Sequence, residues 1–520
     1  MLKRTAHAAI AGALALGALT IAAPAGAADL GNPSLVRTDK GLVRGTVTET
    51  VRSFQGIPYA APPTGELRWA PTAPAKKWRG VRNATEPGAA CPQTGSVPPV
   101  GSRSDDEDCL FVNVTTPRNA AGKPRPVMVY LHGGDHTDGS GAMYGAQRLA
   151  SEGDVVVVTV NYRLAALGYL AHPDLEKRGE SGNYGFLDQQ AALRWVQRNA
   201  AAFGGDPDNV TLFGQSAGGY STCAHMVAPS SAGLFDRVIL QSAPCTADMG
   251  RRERADALRK GTALTDTLQK DWRTAPLDQL VNGFGTGPEY GPVFGGTLLP
   301  RNPGEAFASG QFNKVPVLQG INRYEERGRV YGFELEKKAT THDPAAQLDQ
   351  ADYDHHLKDI FKEQAPAVAA RYPVSAYGNS PALALGAALT DGNWARPSVD
   401  SGRALSRHTP TYTYEFAESE VPWYSDARYQ KPGFDVGAAH TFELPYLFAL
   451  DAYESLTPAQ QGLSHEMIRI WTGFARTGKA DWKPTTPVAA NVQSLTSGPG
   501  GIHPVDFARD HRYDFWKSLR

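Results

Sequence analysis

The chain has 520 residues, 41% of them hydrophobic and 20% charged, with a formal net charge of −1. That length allows a large buried core or several domains. A near-neutral balance without a dense Lys/Arg block argues against a nucleic-acid or anionic-membrane partner.

The chain opens with cationic MLKRTAH, continues through the alanine-rich apolar run AAIAGALALGALTIAA and reaches the small-x-small sequence APAGA. This is the anatomy of a secretory signal peptide over residues 1–27, cut after Ala27, and it implies a secreted protein. The run is short and glycine-broken for an anchor, and no later stretch is long and apolar enough to span a bilayer, so no stable membrane insertion is expected. Export permits disulfides. Cys91, Cys109, Cys223 and Cys245 allow three pairings. Cys91 and Cys109 bracket PQTGSVPPVGSRSDDED, and a bridge closing that flexible loop is worth roughly 3 kcal/mol of unfolded-state entropy. Cys223 then either pairs with Cys245 or remains a buried free thiol.

Further along, PVMVYLHGG reads as an apolar strand entering a glycine turn, and DVVVVTVNYR as a strand covered on both faces. FLDQQAALRWVQRNAAAFGG has helical spacing and a Gly-Gly stop. NVTLFGQSAGGYSTCAHMVA reads as strand, tight turn and helix, and RVILQSA and VPVLQG as further strands. Alternation of strand and helix predicts an α/β fold with a mostly parallel sheet. No domain boundary is visible, so residues 28–520 are expected to form one domain.

The sharpest motif is Gly214-Gln215-Ser216-Ala217-Gly218, which fits G-x-S-x-G. A strand turning at once into a helix holds its serine in a strained conformation above the sheet, and the glycines leave room for the crowded backbone. The following helix directs N–H groups and a positive dipole end at any oxyanion formed there.

With SFQGIPYAAPPTGELRW, DEDCLFVNV, NYRLAALGYL, GNYGFLDQQAALRWVQRNAAAFGGDPDNVTLFGQSAGG, VPVLQGINRYEE, AAHTFELPYLF and YDFW, the chain resembles the type-B carboxylesterase family of α/β-hydrolases. The resemblance implies a large, mostly parallel sheet flanked by helices and a Ser/Glu/His triad in that chain order. It also supports the Cys91–Cys109 bridge.

A serine hydroxyl needs a base, and the base an orienting acid. Thirteen histidines are present. His440, after small residues in VGAAHTFELPYLF and before a helix-like apolar pattern, falls on the family's catalytic histidine. His225 reads as structural and His132 as part of the glycine turn. Register from Gly320 puts Glu325 on the family's glutamate. The pattern departs at Tyr324, which replaces an aspartate, and at Glu326, which replaces a glycine. A one-residue slip would instead promote Glu326.

In this family the oxyanion donors are the N–H groups of two H-G-G-G residues and of the residue after the serine, which map to Gly134, Asp135 and Ala217. Each such donor is worth roughly 2.7–4 kcal/mol to the transition state. The third glycine is Asp135 here, and the aromatic residue usual after it is His136. Three readings follow. Asp135 still donates its N–H while its carboxylate faces water, an Arg or His136; or the carboxylate holds a cationic substrate group or orients water against acylated or phosphorylated Ser216; or the hole is crippled and the protein keeps the fold without useful turnover. Asp135, His136 and Asp138 sit too close along one loop to enclose an ion without a scaffold, so neither metal nor cofactor is expected.

The expected reaction is hydrolysis of small-molecule carboxylic esters, with short to medium acyl or aromatic-alcohol groups, through an acyl-enzyme. The Cys91–Cys109 loop carries no aromatic residue to stack on a quaternary ammonium, which speaks against choline esters. A lipase, an organophosphate-tolerant hydrolase and an inactive binding protein are the alternatives.

Overall fold

The computed structural model describes residues 32–95, 103–119, 123–178, 181–247, 252–268, 272–282, 290–497 and 500–519. The expected signal segment, residues 1–27, lies outside them. In chain order, the central sheet is built from β1 (Thr46–Val47), β2 (Val51–Pro58), β3 (Phe111–Pro117), β4 (Arg125–Leu131), β5 (Val156–Val160) and β6 (Gly205–Gln215). It continues with β7 (Arg237–Gln241), β8 (Val317–Asn322), β9 (Thr411–Phe416), β10 (Val492–Leu495) and β11 (His503–Val505). These form an 11-stranded sheet in the order β11-β10-β9-β8-β7-β6-β4-β5-β3-β2-β1. The run from β10 to β5 is parallel, and antiparallel strands finish both ends. The α/β class and the mostly parallel sheet agree with the sequence expectation.

Strand β4 shows why the sheet is covered on both faces. Val127, Val129 and Leu131 pack into one apolar cluster with Phe186, Leu193 and Trp195 of helix α1 (Tyr184–Asn199). Met128 and Tyr130, the residues between them, join Met467, Ile468 and Trp471 of another helix, Pro458–Thr477. Period-2 alternation thus sends consecutive side chains into two different cores. That second helix has a legible start and stop: Thr457 and Gln460 form a capping box, Pro458 opens the first turn, and Gly478 closes it left-handed.

Strand β8 runs two residues further than VPVLQG suggests, to Asn322. The segment after His440 is only a 3-10 turn, Leu444–Tyr446, with Pro445 in its first turn. Both disulfides form, Cys91–Cys109 and Cys223–Cys245, which removes the free-thiol alternative for Cys223. Among the described residues no helix is long and apolar enough to cross a membrane.

Candidate active site

Strand β6 ends at Gln215 and helix α2 (Ala217–Val227) begins at Ala217, so Ser216 makes the turn alone, with φ 54° and ψ −124°. A non-glycine residue held in this way costs about 1–3 kcal/mol. The neighbouring glycines are steric necessities. A Cβ on Gly218 would lie 1.9 Å from the Leu131 carbonyl oxygen, and one on Gly214 would lie 2.5 Å from the Gly218 backbone. The Ser216 N–H donates to the Gln241 carbonyl at 2.9 Å, tying the elbow to the next strand.

The same crowding explains the glycines after β4. A Cβ on Gly133 would lie 2.7 Å from Gln215 Oε1 and 3.2 Å from Ser216 Cβ. The loop then runs through three left-handed residues, Gly134 (φ 101°), Asp135 (φ 54°) and His136 (φ 58°). The N–H groups of Thr137 and Asp138 both donate to the Gly134 carbonyl at 2.9 Å. Among the described residues the N–H groups of Gly134, Asp135 and Ala217 donate to no protein acceptor.

The neighbours in this loop diverge. Asp135 is exposed, while His136 is buried with its Nε2 3.0 Å from Ser221 Oγ. Asp138 accepts from the Gly95 N–H at 2.7 Å and from the Thr137 hydroxyl at 3.0 Å. Asp135 therefore does not pair with His136, and the three side chains do not converge.

At the carboxyl end of β8, Glu325 Oε1 accepts the Asn322 N–H at 2.8 Å and Oε2 lies 2.6 Å from His440 Nδ1. Glu326 points elsewhere and accepts from Trp394 Nε1 at 2.6 Å. The Trp394 ring packs 5.0 Å from that of His440, so Glu326 orients a wall of the site. Tyr324, in place of the aspartate, lies beneath the Arg327 guanidinium, 3.5 Å from its ring centroid.

Two neighbours of His440 carry no motif signal strong enough to find from sequence. Gln215, the variable position of G-x-S-x-G, brings its side-chain nitrogen to 3.1 Å from His440 Nε2. Glu443, three residues after His440, is fully buried and accepts from Asn322 Nδ2 at 2.7 Å and Gln241 Nε2 at 3.3 Å. Burial, reinforced by the Glu325 charge, pushes the Glu443 carboxyl up to about 7. Burial also opposes a charged His440. The charge and hydrogen bond of Glu325, with Glu443 and Asp135 behind them, outweigh it and lift the imidazole to about 9.

The candidate groups gather at the carboxyl edge of the parallel strands, where open α/β sheets place their sites. Comparison with known proteins agrees. Residues 32–516 match the model of the carboxylesterase family. The chain is 34% identical over 501 residues to fumonisin B1 esterase of Sphingopyxis macrogoltabida, covering 91% of this chain and 87% of that one. It is 33% identical over 474 residues to para-nitrobenzyl esterase of Bacillus subtilis (strain 168), covering 85% and 90%. It is also 33% identical over 475 residues to cocaine esterase of Oryctolagus cuniculus, covering 84% and 86%. Among solved structures, a thermophilic PNB esterase superposes with TM-score 0.76 at 29% identity, over 93% of this chain and all (100%) of that one. The architecture is that of an α/β-hydrolase. The chain belongs to the carboxylesterase family and is a carboxylic-ester hydrolase.

Proposed function

We propose that Ser216, His440 and Glu325 are the catalytic triad and that hydrolysis passes through an acyl-enzyme on Ser216. His440 takes the Ser216 proton as Oγ attacks the ester carbon. The carbonyl oxygen becomes an oxyanion received by the N–H groups of Gly134, Asp135 and Ala217. Collapse expels the alcohol, which receives the proton from His440, and water then repeats the sequence to release the acid. Asp135 acts through its main chain, while its exposed carboxylate adds negative charge near the site.

The observation that carries this reading is the 2.6 Å contact between His440 and Glu325, with His440 Nε2 3.1 Å from Gln215, the residue before a serine held at φ 54°. The Cys91–Cys109 loop supports the oxyanion loop from behind, since Gln93 Oε1 accepts the Gly139 N–H at 2.7 Å. Relatives are named for fumonisin B1, para-nitrobenzyl and cocaine esters. This supports a broad preference for short to medium acyl or aromatic-alcohol esters. The mature protein, residues 28–520, acts as one secreted domain after removal of residues 1–27; two disulfides fit an oxidising compartment.

The test is hydrolysis of chromogenic acetate, butyrate and longer esters, with Ser216→Ala as control. Release that depends on Ser216 and falls with acyl length supports the reading. No release at any length, with no labelling by a fluorophosphonate, would make the chain a binding protein.

A further inference from the structure

Behind the oxyanion loop, a buried row of polar side chains leads from His136 to helix α1. His136 is 3% exposed, and Ser221, Gln189, His225 and Ser231 are fully enclosed. One set of hydrogen-bond directions, built up from the amide donors at the far end, satisfies every member of the row. Gln190 Nε2 donates to Ser231 Oγ at 2.9 Å, so the Ser231 hydroxyl proton goes to His225 Nδ1, also at 2.9 Å. His225 then keeps its proton on Nε2 and donates to Gln189 Oε1 at 3.2 Å. Gln189 Nε2 donates to Ser221 Oγ at 3.1 Å, and the Ser221 hydroxyl donates to His136 Nε2 at 3.0 Å. In this set the His136 proton sits on Nδ1, and the ring also meets the backbone of Tyr290 and of Ala217. Burial, helped by nearby arginines, holds both imidazoles down to about 3, so they stay neutral.

This row ends where the chemistry needs fixed spacing. Ser221 lies one turn past Ala217 on α2, hence on the same helical face. His136 follows Asp135, and its own carbonyl accepts the Ala165 N–H at 2.6 Å. Three consecutive left-handed residues would relax if nothing over-determined them.

We infer that His136 is a positioning residue. Its bond to Ser221 sets the distance between the loop amides of Gly134 and Asp135 and the helix amide of Ala217. The inference rests on the proposed role of those three amides.

The test uses Ser221→Ala, which removes the hydroxyl far from substrate, and His136→Phe, which keeps a ring of similar bulk without the nitrogen. Rates are counted per fluorophosphonate-titrated site on a chromogenic butyrate ester. In each variant kcat is expected to fall about tenfold to a hundredfold, as for a small misplacement of reacting groups, with KM little changed. Affinity for a trifluoromethyl ketone analogue of the tetrahedral state should fall by a similar factor. The double variant should be no worse than the poorer single one, because both cut one bond. Unchanged kcat and analogue affinity per titrated site, with only a lower melting temperature, would overturn the positioning role and leave the triad reading intact. Turnover that survives Ser216→Ala would instead overturn the active-site reading and this inference with it.

Discussion

Gln215 and His440 share a 3.1 Å hydrogen bond at the ring nitrogen proposed to receive the Ser216 proton. With the imidazole neutral, the Nδ1–H donates a hydrogen bond to Glu325 and Nε2 accepts one from the Gln215 amide. With the imidazole charged, Gln215 has to turn and present its oxygen. Gln215→Glu places a carboxylate at that nitrogen, which favours the imidazolium. The acid limb of the kcat/KM–pH profile should move to higher pH, and turnover at pH 7 should fall. A limb that stays in place would show that Gln215 does not govern the base.

His440 also sets the wild-type profile. Only neutral His440 can accept a proton, and its pKa is raised from 6.5 to about 9. Hydrolysis should therefore climb with pH well above the range of an ordinary histidine. Asp135→Asn removes one of the charges holding the imidazolium and one that opposes the oxyanion. The limb should shift to lower pH, and kcat/KM for neutral esters near pH 7 should rise. Slower turnover of every neutral ester would mean that the carboxylate takes part in the chemistry.

Outside the proposed triad, His511 is clamped between Asp391 Oδ1 at 2.5 Å and Glu415 Oε1 at 2.7 Å. Arg512 and Arg323 hold the outer sides of those carboxylates. Burial disfavours the charged ring, but the two carboxylates override it and raise it from 6.5 to about 9. The stabilisation is complete below about 6.5 and is lost as pH rises through about 9. It amounts to about 3 kcal/mol. Urea unfolding at pH 6 and pH 9.5 should show a drop that His511→Gln reduces. Equal pH dependence in wild type and variant would refute it.

The two disulfides act on different parts of the site. Cys91–Cys109 closes the loop whose Gln93 and Gly95 brace the oxyanion loop. Cys223–Cys245 ties α2 to the segment after β7. Cys91→Ser with Cys109→Ser should cost about 3 kcal/mol of stability and lower kcat of the folded fraction. Denaturant melts and rates per titrated site separate the two effects.

Much of the fold was legible where local chemistry is strict. The elbow glycines report clashes of 1.9 and 2.5 Å that no other residue avoids, and the two-faced apolar strands report their own burial. The proposed triad acid was less legible, because Tyr324 and Glu326 break the pattern on both sides of Glu325. Only the fold shows Glu326 occupied by Trp394. Gln215 and Glu443 matter through proximity to His440, which is separated from Gln215 by 225 positions, and spacing along a chain carries no trace of that. The inward turn of His136 was equally hidden, since its partner Ser221 looks like any small residue on a helix.

The most direct measurement is peptide mapping of the protein after reaction with a fluorophosphonate, with labelling rates for wild type, Glu325→Gln and His440→Ala. The account predicts one adduct per chain, on Ser216, formed far more slowly in both variants, with ester hydrolysis lost in parallel. An adduct on another residue, or full-speed labelling of Ser216 without His440, would contradict it.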